Sequence, residues 1–128
     1  MTLAQILASF INEAGYDEEI IHNEATGHVE LTTGLALENQ SCTLCFRGDE
    51  NLHRLSLTIV LPFRVNPGKE SEACMLFNFI NDHYMYPGRV TADADRKIRY
   101  KEIIDTDSTK PSLDIINTML NNGTGLLK

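Results

Sequence analysis

The sequence predicts an α+β protein that combines an antiparallel sheet with helices. In three stretches the apolar residues recur every three or four positions, which is the spacing of one face of an amphipathic helix. In several other stretches apolar and polar residues alternate, as they do on half-buried strands. No strand–helix–strand run with a glycine-rich loop occurs, so nothing indicates a parallel sheet. The predicted order of elements is α-β-β-β(-β)-α-β-β-α, in which the strand in brackets is left open.

Length and composition indicate one globular unit. The chain has 128 residues, of which 42% are hydrophobic, and this is enough for a packed core. We therefore expect residues 1–128 to form a single α+β domain. The beginning of the chain has neither the basic region nor the apolar stretch of a signal peptide, and no apolar run approaches the ~20 residues of a membrane span. With an odd number of cysteines, three, these features predict a cytoplasmic protein with no membrane partner.

The charge argues against nucleic acid as a partner. The formal net charge is −7, with −6 on residues 1–64 and −1 on residues 65–128. Such a chain is repelled by phosphate backbones. Only the basic stripe Lys97, Arg99 and Lys101 could bind nucleic acid, against the field of the remaining residues.

The first element is an amphipathic helix over residues 2–14. Thr2 and Gln5 have the spacing of a capping box, and Gly15 stands where a left-handed C-terminal cap is expected. One face carries the apolar side chains Leu3, Ile6, Leu7, Phe10, Ile11 and Ala14. This stripe has to pack on a sheet or on a partner.

The strands of the N-terminal half follow. Ile20–His22 is a possible short strand, Asn23–Gly27 suits a turn, and Val29 to Leu31 alternates with polar residues. Whether Leu35–Leu37 is a strand end or a loop is left open, as is the pairing within residues 17–40. The next hairpin is clearer: Ser41–Arg47 alternates, residues 48–51 supply the turn, and the return strand alternates from Arg54 to Leu61. Pro62 is expected to end it, because proline cannot donate to the ladder.

The central helix is predicted over Glu70–Met85, preceded by the start signals Asn66 and Pro67. Its apolar arc is wider than one core face requires. One stripe contains Ala73, Leu76, Phe77, Ile80 and Tyr84, and a second contains Met75, Phe79 and His83. Such a helix is covered on two sides, and the second cover is either the first helix or chain end, or a second copy of the chain.

The remaining elements are two strands and a helix. Tyr86-Pro87-Gly88 stops the central helix, and strands over Arg89–Ala92 and Lys97–Ile104 are joined by an acidic turn. The final helix carries the core stripe Leu113, Ile116, Met119 and Leu120. Asn122-Gly123 is expected to end this helix.

Cys42-Thr43-Leu44-Cys45 has the form of a C-x-x-C motif but lies in a predicted strand. Two residues three apart on a strand point to opposite faces, so these thiols can neither bond nor share a metal without a local turn. The four histidines show no metal-ligand spacing. A metal- or thiol-dependent protein using Cys42 and Cys45 with a histidine is therefore the alternative rather than the leading hypothesis. No nucleophile motif, P-loop or dinucleotide fingerprint occurs, so no enzyme activity and no cofactor are expected.

Several short motifs in the second half resemble the YbjN family, which is described as proposed bacterial sensory-transduction regulators. They are Asn78 with Asn81, Gly88-Arg89-Val90, Asp93-x-Asp95 and Ile98-Arg99-Tyr100. The match is good over about residues 53–120 and loose over residues 1–52. The resemblance implies a fold similar to type III secretion chaperones, with protein binding, dimerisation and a regulatory or chaperone-like role. It carries no catalytic residues.

The leading hypothesis is therefore a non-enzymatic protein-binding module, a chaperone-like or regulatory adaptor that acts as a homodimer. A protein or peptide partner is expected, and no catalytic, cofactor or metal site. The candidate contact residues are Phe79, Tyr84, Met85, Tyr86, Lys97, Arg99 and Lys101. Nucleic-acid binding through Lys97, Arg99 and Lys101 is the weaker alternative.

Overall fold

The computed structural model describes residues 2–15, 20–37, 40–83, 87–106 and 112–127. These residues form three helices and six strands. The helices are α1 (Leu3–Ala14), α2 (Glu70–His83) and α3 (Leu113–Leu127). The strands are β1 (Ile21–Asn23), β2 (His28–Leu37), β3 (Gln40–Asp49), β4 (Arg54–Arg64), β5 (Arg89–Ala92) and β6 (Lys97–Asp105). The predicted α+β class is confirmed. The strand left open is present as β1, and Leu35–Leu37 is the end of β2. None of these helices is long and apolar enough to cross a membrane.

The six strands form one antiparallel sheet in the order β1-β2-β3-β4-β6-β5. Its register follows the alternation of side chains: Leu44 lies opposite Ile59, which lies opposite Tyr100. All three side chains are fully buried. Because the period of a strand is two, this register sends every second residue to the opposite face.

Helices α1 and α3 cover one face of the sheet and enclose the main core. The capping box of α1 is formed: the Thr2 amide donates to Gln5 Oε1 at 2.9 Å, and Thr2 Oγ1 accepts from the Gln5 amide at 3.2 Å. Gly15 ends α1 with φ of 76°. Phe10 packs edge-on against Phe46, with 5.4 Å between ring centroids. Most of the predicted stripe residues of both helices are therefore buried or partly buried on the sheet, whereas Ala14 at the end of α1 is exposed.

Helix α2 packs on the same face but on a second, smaller cluster at the β5 end of the sheet. Its centre is Val65, Phe77 and Val90. Val90 lies opposite Tyr100 in the ladder, so it faces the helices like the main core. Only Phe77 of α2 is buried. This helix is thus attached by a narrow strip of its surface.

One expected boundary, the end of β4, is wrong. Strand β4 continues past Pro62 to Arg64, because its pairing with β6 shifts between Val60 and Arg64 and the proline lies inside this irregular segment. A bulge of this kind tolerates a residue without an N–H donor. Helix α2 begins at Glu70, the predicted first residue, but Asn66 and Pro67 are not its first residues, because Gly68 adopts a left-handed φ of 83° that a helix cannot contain.

The expected end of α3 is also wrong. The helix passes through Asn122 and Gly123 and continues to Leu127. A Cβ added at Gly123 would lie 2.7 Å from Ile59 Cδ1 and 2.9 Å from Tyr100 Cδ1. The glycine is therefore required by the close approach of α3 to the sheet and does not act as a helix terminator.

Candidate protein-interaction surfaces

The outer side of α2 presents large apolar side chains to solvent. The exposed fractions are 76% for Met75, 55% for Leu76 and 61% for Phe79. The Phe79 ring stacks on His83 with centroids 5.4 Å apart and planes 7° from parallel. We call Met75, Leu76, Phe79 and His83 the α2 stripe. Neither α1 nor the described part of the chain end covers it, and the candidates Tyr84, Met85 and Tyr86 lie outside the described residues.

In addition to the packing of Phe77, the side chain of Asn81 joins α2 to β5. Its Nδ2 donates to the Val90 carbonyl at 3.0 Å, and its Oδ1 accepts from the Val90 amide at 2.8 Å. The side-chain amide thus pairs with both backbone groups of a residue in β5, as a neighbouring strand would. This pairing turns the α2 stripe away from the sheet.

Near the contact between Asn81 and Val90, buried polar groups of Tyr100, Glu102 and Gly88 form a hydrogen-bonded cluster. The Tyr100 hydroxyl donates to Glu102 Oε1 at 2.9 Å and accepts from the Gly88 amide at 3.1 Å. Tyr100 is fully buried and Glu102 is 4% exposed. Burial, together with the hydrogen bond and the negative charge of Glu102, raises the pKa of Tyr100 far above its ordinary value. The phenol therefore stays neutral and joins β6 to the chain that enters β5.

The expected basic stripe lies on the opposite face of the sheet. Lys97, Arg99 and Lys101 alternate with residues that face the helices, and all three are half-exposed. Arg99 Nε donates to Thr91 Oγ1 at 3.3 Å. The basic stripe and the α2 stripe thus lie on different sides of the sheet, so the fold does not bring Phe79 together with Lys97, Arg99 and Lys101.

The acidic turn before this stripe is structural. Asp93 Oδ1 accepts from the amides of Asp95 and Lys97 at 2.9 and 3.0 Å. Arg96 completes the turn with φ of 65°. The Asp93 carboxylate therefore serves the backbone, as the sequence predicts for a tight connection.

The geometry of the cysteines gives the metal or thiol alternative no support. Cys42 faces the core and Cys45 faces outward, where its sulfur accepts from Thr32 Oγ1 at 3.6 Å. Burial raises the pKa of the Cys42 thiol, which disfavours the nucleophilic thiolate. Within residues 2–15, 20–37, 40–83, 87–106 and 112–127, no group of three or more His, Cys, Asp or Glu side chains could hold a metal ion.

Two residues of these surfaces were not identified from the sequence. Glu102 shares the buried face with Tyr100, and the alternation of β6 places it there directly. A charged residue at such a position indicates a hidden partner, which is the Tyr100 hydroxyl. Nothing in the sequence indicated that Asn81 joins α2 to β5, beyond its spacing from Asn78, because its hydrogen-bond partner Val90 lies in another element.

Solved structures with the same arrangement of helices and strands are type III secretion chaperones and related complexes. A chain of the ExsC–ExsE complex has a TM-score of 0.67 and 16% identity, over 98% of this chain and 90% of that chain. A chain of the HopA1–SchA chaperone–effector complex has a TM-score of 0.56 and 17% identity, over 96% and 85%. A chain of the complex between the Yersinia pestis type III secretion chaperone SycH and a stable fragment of YscM2 has a TM-score of 0.50 and 17% identity, over 92% and 90%.

These likenesses confirm the expected type III secretion chaperone-like fold. At such low identity they show the fold alone. No curated protein sequence matches the chain. The model of the YbjN family, whose description reads "Putative bacterial sensory transduction regulator", matches residues 3–126. Motif residues Asn81, Gly88 and Tyr100, on which the resemblance was based, are those that dock α2 and β5 on the sheet. The chain belongs to the YbjN family.

Proposed function

We propose that this chain is a non-enzymatic protein-binding module, a chaperone-like or regulatory adaptor that acts as a homodimer in the cytoplasm. The observation that carries the proposal is the α2 stripe, because contiguous exposed apolar side chains mark association sites on soluble proteins. The fold supports it, since similar chains occur in complexes with partner proteins. The three free cysteines fit a reducing compartment.

The seam of the homodimer is formed by the α2 stripe, and we assign to it also Tyr84, Met85 and Tyr86, which follow α2 in the sequence and lie outside the described residues. An aromatic ring with a flexible methionine beside it gives a large contact area, and both residue types are enriched in interface cores. Phe79 lies at the centre of the stripe, between Leu76 and His83 along the helix. It is therefore the residue whose change should disturb the seam most.

The test is Phe79→Asp, measured by size-exclusion chromatography with light scattering. Because Phe79 is 61% exposed in the single chain, its replacement leaves the core intact. We expect the wild-type protein to be a dimer and the variant a monomer with an unchanged circular dichroism spectrum. Burying a carboxylate in an apolar seam without a partner costs several kcal/mol, which corresponds to a loss of affinity of roughly a hundredfold or more.

The matched control is Asn78→Asp, which adds the same charge to an exposed position on the other flank of α2. It should remain dimeric. A Phe79→Asp protein that elutes like the wild type would contradict the seam, and so would a wild-type protein that is already monomeric.

The adaptor role is tested separately by affinity capture from native cell extract, followed by mass spectrometry. We expect one or a few proteins to be recovered in amounts comparable to the bait. A folded bait that recovers no protein above the level of a tag-only control would refute the adaptor role and leave the seam untouched.

A further inference from the structure

One face of the sheet is not covered by any described helix. Helices α1, α2 and α3 all pack on the face that contains Leu44, Ile59, Tyr100 and Val90. Residues between those buried positions point to the opposite side, which we call the bare face. Its members on the four central strands include Thr32, Thr43, Cys45, Arg47, Ser56, Thr58, Val60, Arg99, Lys101 and Ile103.

The bare face concentrates the positive charge of an acidic protein. Seven of the eleven Lys and Arg residues of the chain project from it, although the net charge is −7. They are Arg47, Arg54, Arg64, Arg89, Lys97, Arg99 and Lys101. Only the carboxylates of Glu30, Asp49 and Asp105 share this face among the described residues. Such segregation creates a local positive potential that a negatively charged partner would sense.

Four of these seven cations have no carboxylate partner among the described residues. Arg47 lies 3.7 Å from Glu30, but no described carboxylate forms an ion pair with Arg54, Arg64, Lys97 or Lys101. Arg64 and Lys97 are directly opposite each other in the ladder. Like charges in that arrangement destabilise a sheet. An external carboxylate would remove this repulsion, so the pair favours an anionic ligand.

The irregular pairing of β4 with β6 opens a cleft beside Arg64 and Lys97. Where the register shifts between Val60 and Arg64, a cleft of about 350 Å³ opens. Its polar lining consists of Ser41, Thr43, Arg64 and Lys97, and Val60, Leu61 and Pro62 form the apolar remainder. Two cations and two hydroxyls around one cleft match the oxygen atoms of a carboxylate.

A second depression lies further along β6. It has a volume of about 260 Å³, and its lining combines the cations Arg47, Arg54 and Lys101 with His28, Asp49 and Ile103. Ile103 is 61% exposed. Lys97 and Lys101 are four residues apart on one strand, which corresponds to roughly 13 Å. An extended segment has the same rise per residue, so its side chains at positions i and i+4 would reach both depressions.

We propose that the bare face binds an extended acidic segment of the protein partner, with carboxylates four residues apart at Lys97 and Lys101 and an apolar side chain on Ile103. This inference rests on the proposed adaptor function and names the chemistry of its partner. A nucleic acid fits less well, because apolar residues and carboxylates lie among the cations of the described bare face.

The test uses a fluorescent synthetic peptide of alternating glutamate and threonine that ends in isoleucine, with binding followed by anisotropy at low salt. We expect Lys101→Glu to weaken binding at least tenfold. The matched control is Lys69→Glu, which makes the same charge change beside Glu72 at the start of α2, away from the bare face. It should change the affinity by less than a factor of two. The peptide with every glutamate replaced by glutamine should not bind.

Three results would overturn the proposal. The first is no binding to the wild-type protein, and the second is an equal loss in Lys101→Glu and Lys69→Glu, which would indicate only long-range attraction. The third is tighter binding of an oligothymidylate of equal charge, which would assign the face to nucleic acid. Phe79→Asp should bind the peptide like the wild type, so a failure of the dimer seam and a failure of this proposal can be told apart.

Discussion

The Tyr100 hydroxyl provides the sharpest test of how the α2 end of the molecule is held. Tyr100→Phe keeps the buried ring and removes one oxygen, so it opens no large cavity. The change leaves the Gly88 amide without its acceptor at 3.1 Å and the Glu102 carboxylate without its donor at 2.9 Å. A buried group deprived of its partner costs about 1–3 kcal/mol, and a charged one more, so we expect the free energy of unfolding to fall by about 2–4 kcal/mol.

The assay is urea unfolding followed by circular dichroism, with the slope against urea expected to stay unchanged. Glu102→Gln is the matched control. It keeps an oxygen for the Tyr100 hydroxyl and removes a buried charge, so its cost should be about 1 kcal/mol or less. A Tyr100→Phe variant that loses under about 0.5 kcal/mol would refute the reasoning, since that is the effect of an ordinary surface substitution. So would equal losses in the two variants.

The wild type and Tyr100→Phe should also differ in how their free energy of unfolding depends on pH. The pKa of Tyr100 is raised in the folded protein, mainly by burial, from an ordinary value of 10.0. Above that pH the phenol of the unfolded chain ionises while the folded one stays protonated, so the unfolded state is favoured. The wild type should therefore lose stability above about pH 10, and its advantage over Tyr100→Phe should shrink as the pH rises.

Two further changes test the packing around this hydrogen-bonded cluster. Asn81→Leu removes both hydrogen bonds to Val90, so the free energy of unfolding measured in urea should fall by about 2–3 kcal/mol. Amide exchange should become faster in α2 than in α1. Equal protection of both helices would contradict the role of Asn81 in holding α2 on β5. Gly123→Ala should lower the melting temperature, because overpacking against Ile59 and Tyr100 costs about 1–3 kcal/mol and exceeds the helix preference of alanine. Gly125→Ala, at an exposed site of the same helix, should raise the melting temperature, and a rise in both variants would show that α3 can move away from the sheet.

The strands and α1 could be predicted from the sequence because local signals and tertiary structure agree there. The alternation from Cys42 to Phe46 and from Leu55 to Ile59 places each of those apolar side chains in the core. The capping residues Thr2 and Gly15 stand at the ends of α1 as expected. At these positions the residue type, the period and the burial all favour the same structure.

Local rules failed where a contact with a distant element decides the structure. Glycine commonly ends a helix, but Gly123 lies within α3. A glycine is required there because α3 passes close to Tyr100 and Ile59. Pro62 should end a strand, but the bulge absorbs it. The breadth of the apolar arc on α2 predicted two covered sides. Which side faces the sheet depends on Val90, a residue on another strand.

The two edges of the sheet have a consequence for how copies of this chain can assemble. The outermost strands of the described sheet, β1 and β5, have only three and four residues, and Pro87 and Arg89 stand at the beginning of β5. Short edge strands with proline and charge discourage edge-to-edge pairing, which is a head-to-tail contact that propagates into fibres. A seam between two identical helices is instead self-complementary and closes after two copies. The short edge strands are therefore compatible with the proposed twofold contact through the α2 stripe.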